Sequence, residues 1–226
     1  MKSRSSDTRP VTAGWTRTKL PVTSEMLVVD IGSGAHPNPR ADVLVDRDLT
    51  DNRHRAGHSL VLDGRPLVCA DVNALPFRDG AVDFAIISHL AEHVDDPAAM
   101  CAEVSRAAVA GYIETPSPLC DKLLHEDYHI WRVDNRDGVL AFEAKDESSR
   151  VWPAFTDRFY KLYNSARPQS ERPTFTLPSG PVGRALRFVI TGVGFVMNKT
   201  GLMHTKVMFS LNRPLRWGVS GRVQTS

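Results

Sequence analysis

Between Met26 and Thr115 the chain sets short apolar runs against polar, helix-prone or turn-rich material. The runs are MLVVDI, ADVLVD, PLVCADV, VDFAIIS and AGYIET. Their hydrophobicity is mostly continuous and not alternating, which marks strands covered on both faces, as in a parallel sheet. Strands separated by helical or loop segments predict an α/β architecture. Between the last two runs, DDPAAMCAEVSRAA places Met100, Val104 and Ala108 on one face at helical spacing. Asp96 stands as its N-cap and Pro97 in its first helical position. A second helix is expected from Ser117, with Pro118 in its first turn. Further on, HIWRVDNRDGVLAFEAK predicts a hairpin turning at NRDG, and MHTKVMFSL predicts a late strand.

The pattern fails at two places. Residues 1 to about 24 are rich in Ser, Thr, Arg and Pro without periodicity, and are expected to form a mobile arm. Residues 25–226 then make one domain, in which the regular part, 26–118, is followed by a less regular region, 119–226. The path of residues 145–200 is not specified by the pattern.

Composition changes this picture little. A chain of 226 residues with 42% hydrophobic and 24% charged positions is long enough for one well-buried globular domain. No apolar run approaches the roughly 20 residues of a membrane span. Met1 to Leu20 lacks the apolar middle of a signal peptide, so a cytoplasmic protein is expected. Cys69, Cys101 and Cys120 are odd in number and widely spaced, which fits reduced thiols. Charge is distributed unevenly. Residues 1–150 hold 17 Lys and Arg against 24 Asp and Glu, whereas residues 151–226 hold 11 against 2.

Two stretches carry candidate chemistry. HEDYH, from His125 to His129, has the H-E-x-x-H form that places two imidazoles on one helical face to bind zinc. A catalytic zinc site needs a third protein ligand, and neither the H-x-x-G-x-x-H continuation nor a downstream carboxylate helix is present. No metal is therefore assigned. The other stretch is VVDIGSGAHP, a strand opening into a turn in which Gly32 and Gly34 let the backbone approach a ligand closely. The dinucleotide fingerprint G-x-G-x-x-G is not met, because its third glycine position is Pro37.

This glycine turn is the first of four motifs in order. ADVLVD ends in Asp46, LVCADVNALPFRDGAVDFAIIS carries Asp71 and an LPF turn, and SHLAEHVDDP comes after the fourth strand. The succession resembles the class I S-adenosylmethionine-dependent methyltransferases, in particular the type 11-like group, over residues 26–118. The resemblance implies a Rossmann-like α/β sheet, mostly parallel with a late antiparallel strand, and S-adenosylmethionine as cofactor. It also implies roles. Asp30, Gly32 and Gly34 hold the methionine part, Asp46 the ribose hydroxyls, Asp71 and Val72 the adenine, while Ser88 and His89 lie near the sulfonium methyl. His89, His125 and His129 are the candidate catalytic groups.

One departure from the family stands out. Only nine residues, Gly32 to Arg40, separate Ile31 from Ala41, and two of them are prolines. A parallel crossover with its helix normally needs about 10–12 residues, so the first helix is expected to be short, irregular or absent. If ADVLVD does not pair as the second strand, Asp48 replaces Asp46.

The acceptor is chosen by less. No NPPY-type tetrapeptide ends the fourth strand, where the family's amino-group methylators often carry one; the place reads SHLA. A hydroxyl of a small molecule, sugar or glycan is expected, phosphorylated or lipid-linked if the basic C-terminal region takes part, with histidine as base and Tyr128 and Trp131 as stacking faces. The alternatives are an RNA methyltransferase using that basic region and a non-catalytic cofactor-binding scaffold. The sequence does not give the oligomeric state.

Overall fold

The computed structural model describes residues 12–13, 18–52, 55, 58–124, 128–145, 202–210, 212–219 and 222–225. His125, most of the basic C-terminal region and the start of the N-terminal arm lie outside the described residues. The strands are β1 (Thr12–Ala13), β2 (Thr18–Lys19), β3 (Val28–Ile31), β4 (Val43–Asp46), β5 (Leu67–Cys69), β6 (Val82–Ser88), β7 (Ala108–Pro116), β8 (Trp131–Arg136), β9 (Val139–Ala144), β10 (His204–Ser210), β11 (Arg216–Val219) and β12 (Arg222–Thr225). Two helices are described, α1 (Pro97–Ala107) and α2 (Pro118–Leu124), and a 3-10 turn spans Ala91–His93.

The central sheet has the order β10-β7-β6-β3-β4-β5. Every pair is parallel except β10 with β7, which runs antiparallel from His204 opposite Pro116 to Ser210 opposite Ala110. This is the expected α/β sheet with its late antiparallel strand. Continuous apolar runs are needed because both faces are covered. On one face Val29, Ile31, Ala85, Ile87 and Ile113 join Met100, Cys101, Val104 and Ala107 of α1. On the other, Val28, Phe84, Ile86 and Tyr112 pack with Leu20. The helix starts as expected, with the Asp96 carboxylate accepting from the amides of Ala98 and Ala99 at 3.0 Å each. It stops one residue earlier than its periodicity suggested, and Ala108 opens β7.

The crossover from β3 to β4 contains no helix. Its backbone groups are satisfied in other ways. Gly32 and Ser33 both donate to the Val45 carbonyl at 2.8 and 3.1 Å, and Asp42 donates to Val28 at 2.7 Å while its carboxylate accepts from the Val28 amide at 2.9 Å. Arg40 ties the end of the loop to Asp42 and to the carbonyls of Thr23 and Met26. The compact loop still delivers β4 into parallel register with β3, Ile31 opposite Val45, so ADVLVD does pair as the second strand and Asp46 lies at its end. Leu20, Val22 and Met26 cover the second face of the sheet. The arm expected over residues 1 to 24 is therefore narrowed: Leu20 is core, and Thr18 sits 3.1 Å from the Tyr112 hydroxyl.

The expected hairpin is present as β8 and β9, paired from Trp131–Ala144 to Arg136–Val139. A second sheet, of order β12-β11-β9-β8, grows from it, with β11 parallel to β9. Leu215 and Trp217 carry this sheet into the same core as α1. Among the described residues no helix is long and apolar enough to cross a membrane.

Candidate functional site

In an open α/β sheet, ligands gather outside the carboxyl ends of the strands where the strand order reverses. Here the reversal falls between β3 and β6, since the chain passes from β3 outward to β4 and β5 and then returns to β6 on the other side. A cleft of about 730 Å³, its open mouth included, lies at that place. Ile31 and Gly32 come from the end of β3, Asp46 to Asp48 from β4, Ala70 to Asn73 from the end of β5, and His89, Leu90 and His93 to Asp95 from the segment after β6.

The glycine turn is built for close approach. Gly32 has φ of +73°, and a Cβ there would stand 3.0 Å from Leu90 Cδ2 and 3.2 Å from Leu90 Cβ. Gly34, at φ +52°, donates its amide to Asp46 Oδ2 at 3.0 Å. Asp46 Oδ1 accepts from the Asp48 amide at 3.0 Å, with Arg55 Nη1 3.5 Å away. A buried carboxylate thus fixes both the glycine turn and its own strand end. Asp71 carries its own turn by accepting from Asn73 and pairs with Arg47 at 3.0 Å. Burial works to raise the Asp71 pKa, and the Asn73 amide and Arg47 outweigh it, so the group lies below the ordinary carboxylate range.

Asp30 stands apart. It is buried behind the glycine turn with its carboxylate on the Asn38 amide at 2.6 Å, and it does not line the cleft. Burial raises its pKa to about 6, against the lowering effects of the Asn38 amide and Arg65. Ser88 closes β6 half-buried beside the cleft and does not line it.

His89 has the most constrained setting. It follows β6 with φ of +56°, a left-handed conformation that only a few per cent of non-glycine residues adopt and that is found where structure over-determines it. Its amide is held by the Glu114 carbonyl at 2.8 Å. This turn brings the imidazole to 3.3 Å from Glu92 Oε1 through Nδ1, and to 3.7 Å from Glu114 Oε1 through Nε2. Both carboxylates are almost wholly buried, at 1% and 0% exposure. Burial would lower the His89 pKa; Glu114 and Glu92 together raise it to about 9. At 3.3 and 3.7 Å these contacts are ion pairs more than hydrogen bonds, and at neutral pH His89 is an imidazolium set between two buried carboxylates. Glu92 is held down to about 2 by the surrounding imidazoles, against burial. Next to His89, with ring centroids 5.5 Å apart, His204 is pushed down to about 4 by burial and stays neutral.

The structure therefore brings Gly32, Gly34, Asp46, Asp71, Val72 and His89 together around one cleft, and leaves Asp30, Ser88 and His129 outside its lining. His129 is 7% exposed, behind His93, with Nδ1 2.7 Å from Asp121 Oδ1. Helix α2 is described over Pro118–Leu124, with Pro118 in its first turn as expected and the Ser117 hydroxyl before it accepting from the Cys120 amide at 3.1 Å. The two aromatic side chains expected as stacking faces are engaged: Tyr128 stacks on His93 at 5.5 Å, and Trp131 donates to the Val94 carbonyl at 2.8 Å with its ring edge-on to Phe142. Sequence reasoning did not assign roles to Arg47, Arg55, Glu92, His93 and Glu114. The signal was present for two of these, since His89, Glu92 and His93 stand at i, i+3 and i+4 and share one side of a helical turn.

The sheet order and the cleft at its switch point define a nucleotide-type binding fold of the doubly wound class. Residues 40–111 match the methyltransferase domain family. No curated protein matches. Among solved structures, a Thermotoga maritima S-adenosylmethionine-dependent methyltransferase shares 20% identity over 42% of this chain and 47% of its own, at a TM-score of 0.34. One from Mesorhizobium loti shares 20% over 56% and 60%, at 0.35. The YcgJ protein of Bacillus subtilis shares 14% over 72% and 87%, at 0.38. The chain thus spans about half the length of the Thermotoga maritima protein, and likenesses this loose say nothing of the acceptor.

Proposed function

We propose that the chain transfers a methyl group from S-adenosylmethionine to a hydroxyl of a small molecule or sugar. The reading is carried by the cleft at the switch point, where the Gly32–Gly34 turn, the carboxylates Asp46 and Asp71, and His89 face one space. The cradle fits the cofactor, because the room beside Gly32 exists only while that position lacks a Cβ. Asp46 has lone pairs for ribose hydroxyls beyond those used by Gly34 and Asp48, Asp71 is placed for the adenine amino group, and Val72 lies beside the ring. S-adenosylmethionine supplies an already activated methyl on a sulfonium, so the protein contributes mainly alignment, worth on the order of 7–11 kcal/mol in favourable cases. Leu90 and Val94 form an apolar wall that limits water. His89, charged at neutral pH, orients the acceptor oxygen instead of serving as the expected base, and the hydroxyl proton lost on methylation passes to water at the open mouth of the cleft. Asp30 acts from behind, fixing the glycine turn through Asn38 and adding negative charge on the side where the ammonium is expected.

Calorimetric titration with S-adenosylhomocysteine, with NAD as control, tests this reading. Binding of the former alone is the expected result, and no heat from either ligand would overturn it. The titration has a pH signature. Asp30 must be ionised to face an ammonium, and its pKa is raised in the folded protein, so affinity rises with pH through about 6 and levels above 7. The same shift sets a stability trend. The native state binds the extra proton between the ordinary carboxylate pKa and about 6, so ligand-free stability falls as pH rises through that window, by about 3 kcal/mol in all. Asp30→Asn removes both trends and melts higher than wild type at pH 8. Equal pH slopes in variant and wild type would show that another group is responsible.

At the cradle, Gly32→Ala imposes a left-handed backbone on a residue with a Cβ, costing about 1–2 kcal/mol, and presses on Leu90. The expected result is S-adenosylhomocysteine affinity lowered about tenfold or more, with a melting curve still cooperative. Unchanged affinity would place the ligand away from this turn.

A further inference from the structure

Glu92 is 1% exposed, yet neither of its carboxylate oxygens accepts a well-formed hydrogen bond among the described residues. His89 supplies one positive charge at 3.3 Å from Oε1, but a buried carboxylate also needs well-formed partners for its lone pairs, and both oxygens lack one. Its surroundings are imidazoles. His93 Nε2 lies 3.9 Å from Glu92 Oε1, and the His93 and His129 ring centroids are 4.8 Å apart. One potential ligand atom from each of Glu92, His93 and His129 lies within 4.8 Å of the other two. The second nitrogens are already engaged. His93 Nδ1 stands 3.2 Å from the Tyr128 carbonyl, which can only accept, and His129 Nδ1 stands 2.7 Å from Asp121 Oδ1. Both rings are thereby set with Nδ1 as donor and Nε2 as the nitrogen that offers a lone pair. Asp121 is itself anchored by Arg132 at 3.5 Å and Lys145 at 3.7 Å. Histidines whose outer nitrogen is held by a carbonyl or a supported carboxylate are the usual form of metal-binding histidines.

We infer that Glu92, His93 and His129 bind a divalent first-row transition ion, zinc being the best match. Two imidazoles and one carboxylate suit zinc, at about 2.0–2.2 Å from each donor. The three ligand atoms, now within 4.8 Å of one another, draw closer together around the ion. The two segments that supply them are already joined, since the Ile130 amide donates to the Glu92 carbonyl at 3.0 Å and the Trp131 indole donates to the Val94 carbonyl at 2.8 Å. The ion clamps the strap before β8 to the turn after β6. Three protein ligands leave a fourth position for water or an incoming oxygen, and His93 also lines the cleft. The His129 of HEDYH is thus a ligand, but with partners other than the peptidase pattern supplies. The site stands independently of methyl transfer.

The test is metal content and cobalt spectroscopy on the full chain. Protein stripped with chelator and dialysed against zinc is expected to retain one equivalent, to melt at higher temperature, and with cobalt to show visible absorption of a four- or five-coordinate ion. Glu92→Gln and His129→Gln are each expected to weaken zinc binding by at least about 100-fold. His58→Ala, in the separate His36–His58 pair whose rings are 5.9 Å apart, is expected to leave it unchanged. If the first two variants do not fold, the wild-type stoichiometry and the His58→Ala comparison still decide. Less than about half an equivalent in wild type overturns the inference. So does loss confined to His58→Ala, or loss in His204→Ala with retention in Glu92→Gln, which moves the ion to the His89, Glu114 and His204 cluster.

Discussion

Asp46→Ala is expected to abolish measurable S-adenosylhomocysteine binding and to lower the melting temperature by about 10 °C. Asp46 joins three parts of the site. Its Oδ2 accepts from Gly34, its Oδ1 accepts from Asp48, and Arg55 lies beside it with only 9% of its side chain exposed. Alanine removes an acceptor from two backbone amides and leaves a guanidinium buried without that carboxylate. Losing one member of a buried pair costs about 3–5 kcal/mol, and in a chain of this size each kcal/mol moves Tm by roughly 2–4 °C. Asp46→Asn separates the two effects. An amide oxygen still accepts one of the backbone bonds, so the melting temperature recovers in part, while the carboxylate for two ribose hydroxyls is absent and affinity stays low. A thermal scan and a titration on both variants are sufficient. Full affinity in Asp46→Asn would remove Asp46 from the cofactor site and leave it as a brace for the turn.

Gly111→Ala is expected to destabilise the fold by about 3 kcal/mol without altering ligand affinity in the fraction that folds. Gly111 lies in β7 opposite Phe209 of β10. A Cβ there would stand 2.5 Å from Phe209 Cε1 and Cζ and 2.8 Å from the Ala85 carbonyl oxygen. The ring can turn aside, but the carbonyl belongs to a central strand and cannot. Overpacking of this kind costs typically 1–3 kcal/mol and occasionally more. Shortening the ring as well, in Gly111→Ala with Phe209→Leu, recovers only the part owed to Phe209. A melting temperature within about 2 °C of wild type would mean that β10 does not lie in this register.

Much of the central sheet was legible because burial on both faces leaves a continuous apolar imprint. VDFAIIS predicts β6 residue for residue, and AGYIET falls inside β7. Asp96 and Pro97 marked the helix start because an N-cap and a missing amide are local requirements that a sequence states directly. The second sheet was not legible. RWGV is four residues long with arginine at its edge, and its value to the fold lies in Trp217 reaching α1, a contact between distant parts of the chain. At the site, Asp46 ends β4, and Asp71 follows β5 by two residues instead of ending it; both line the cleft. Asp30 was expected beside the ligand, and its burial behind the turn follows from strand parity, since alternate residues of β3 face opposite sides of the sheet. Glu92 and Glu114 were invisible as a pair, because nothing local says that a turn after β6 and the end of β7 present two buried acids to one histidine.

The pairing of β10 with β7 sets a timetable for the nascent chain. Pro116, at the end of β7, pairs with His204, 88 residues later. At synthesis rates of about 5–20 residues per second, the outer edge of β7 and the recess over Gly111 wait roughly 4–18 s for the strand that covers them. For that interval a row of unpaired amides and carbonyls beside an apolar hollow is open to any other extended chain. A ribosome stalled near residue 200 would hold a sheet complete on one side and adhesive on the other. Slowing translation over residues 117–203 lengthens that interval, and with it the exposure of the edge to other extended chains.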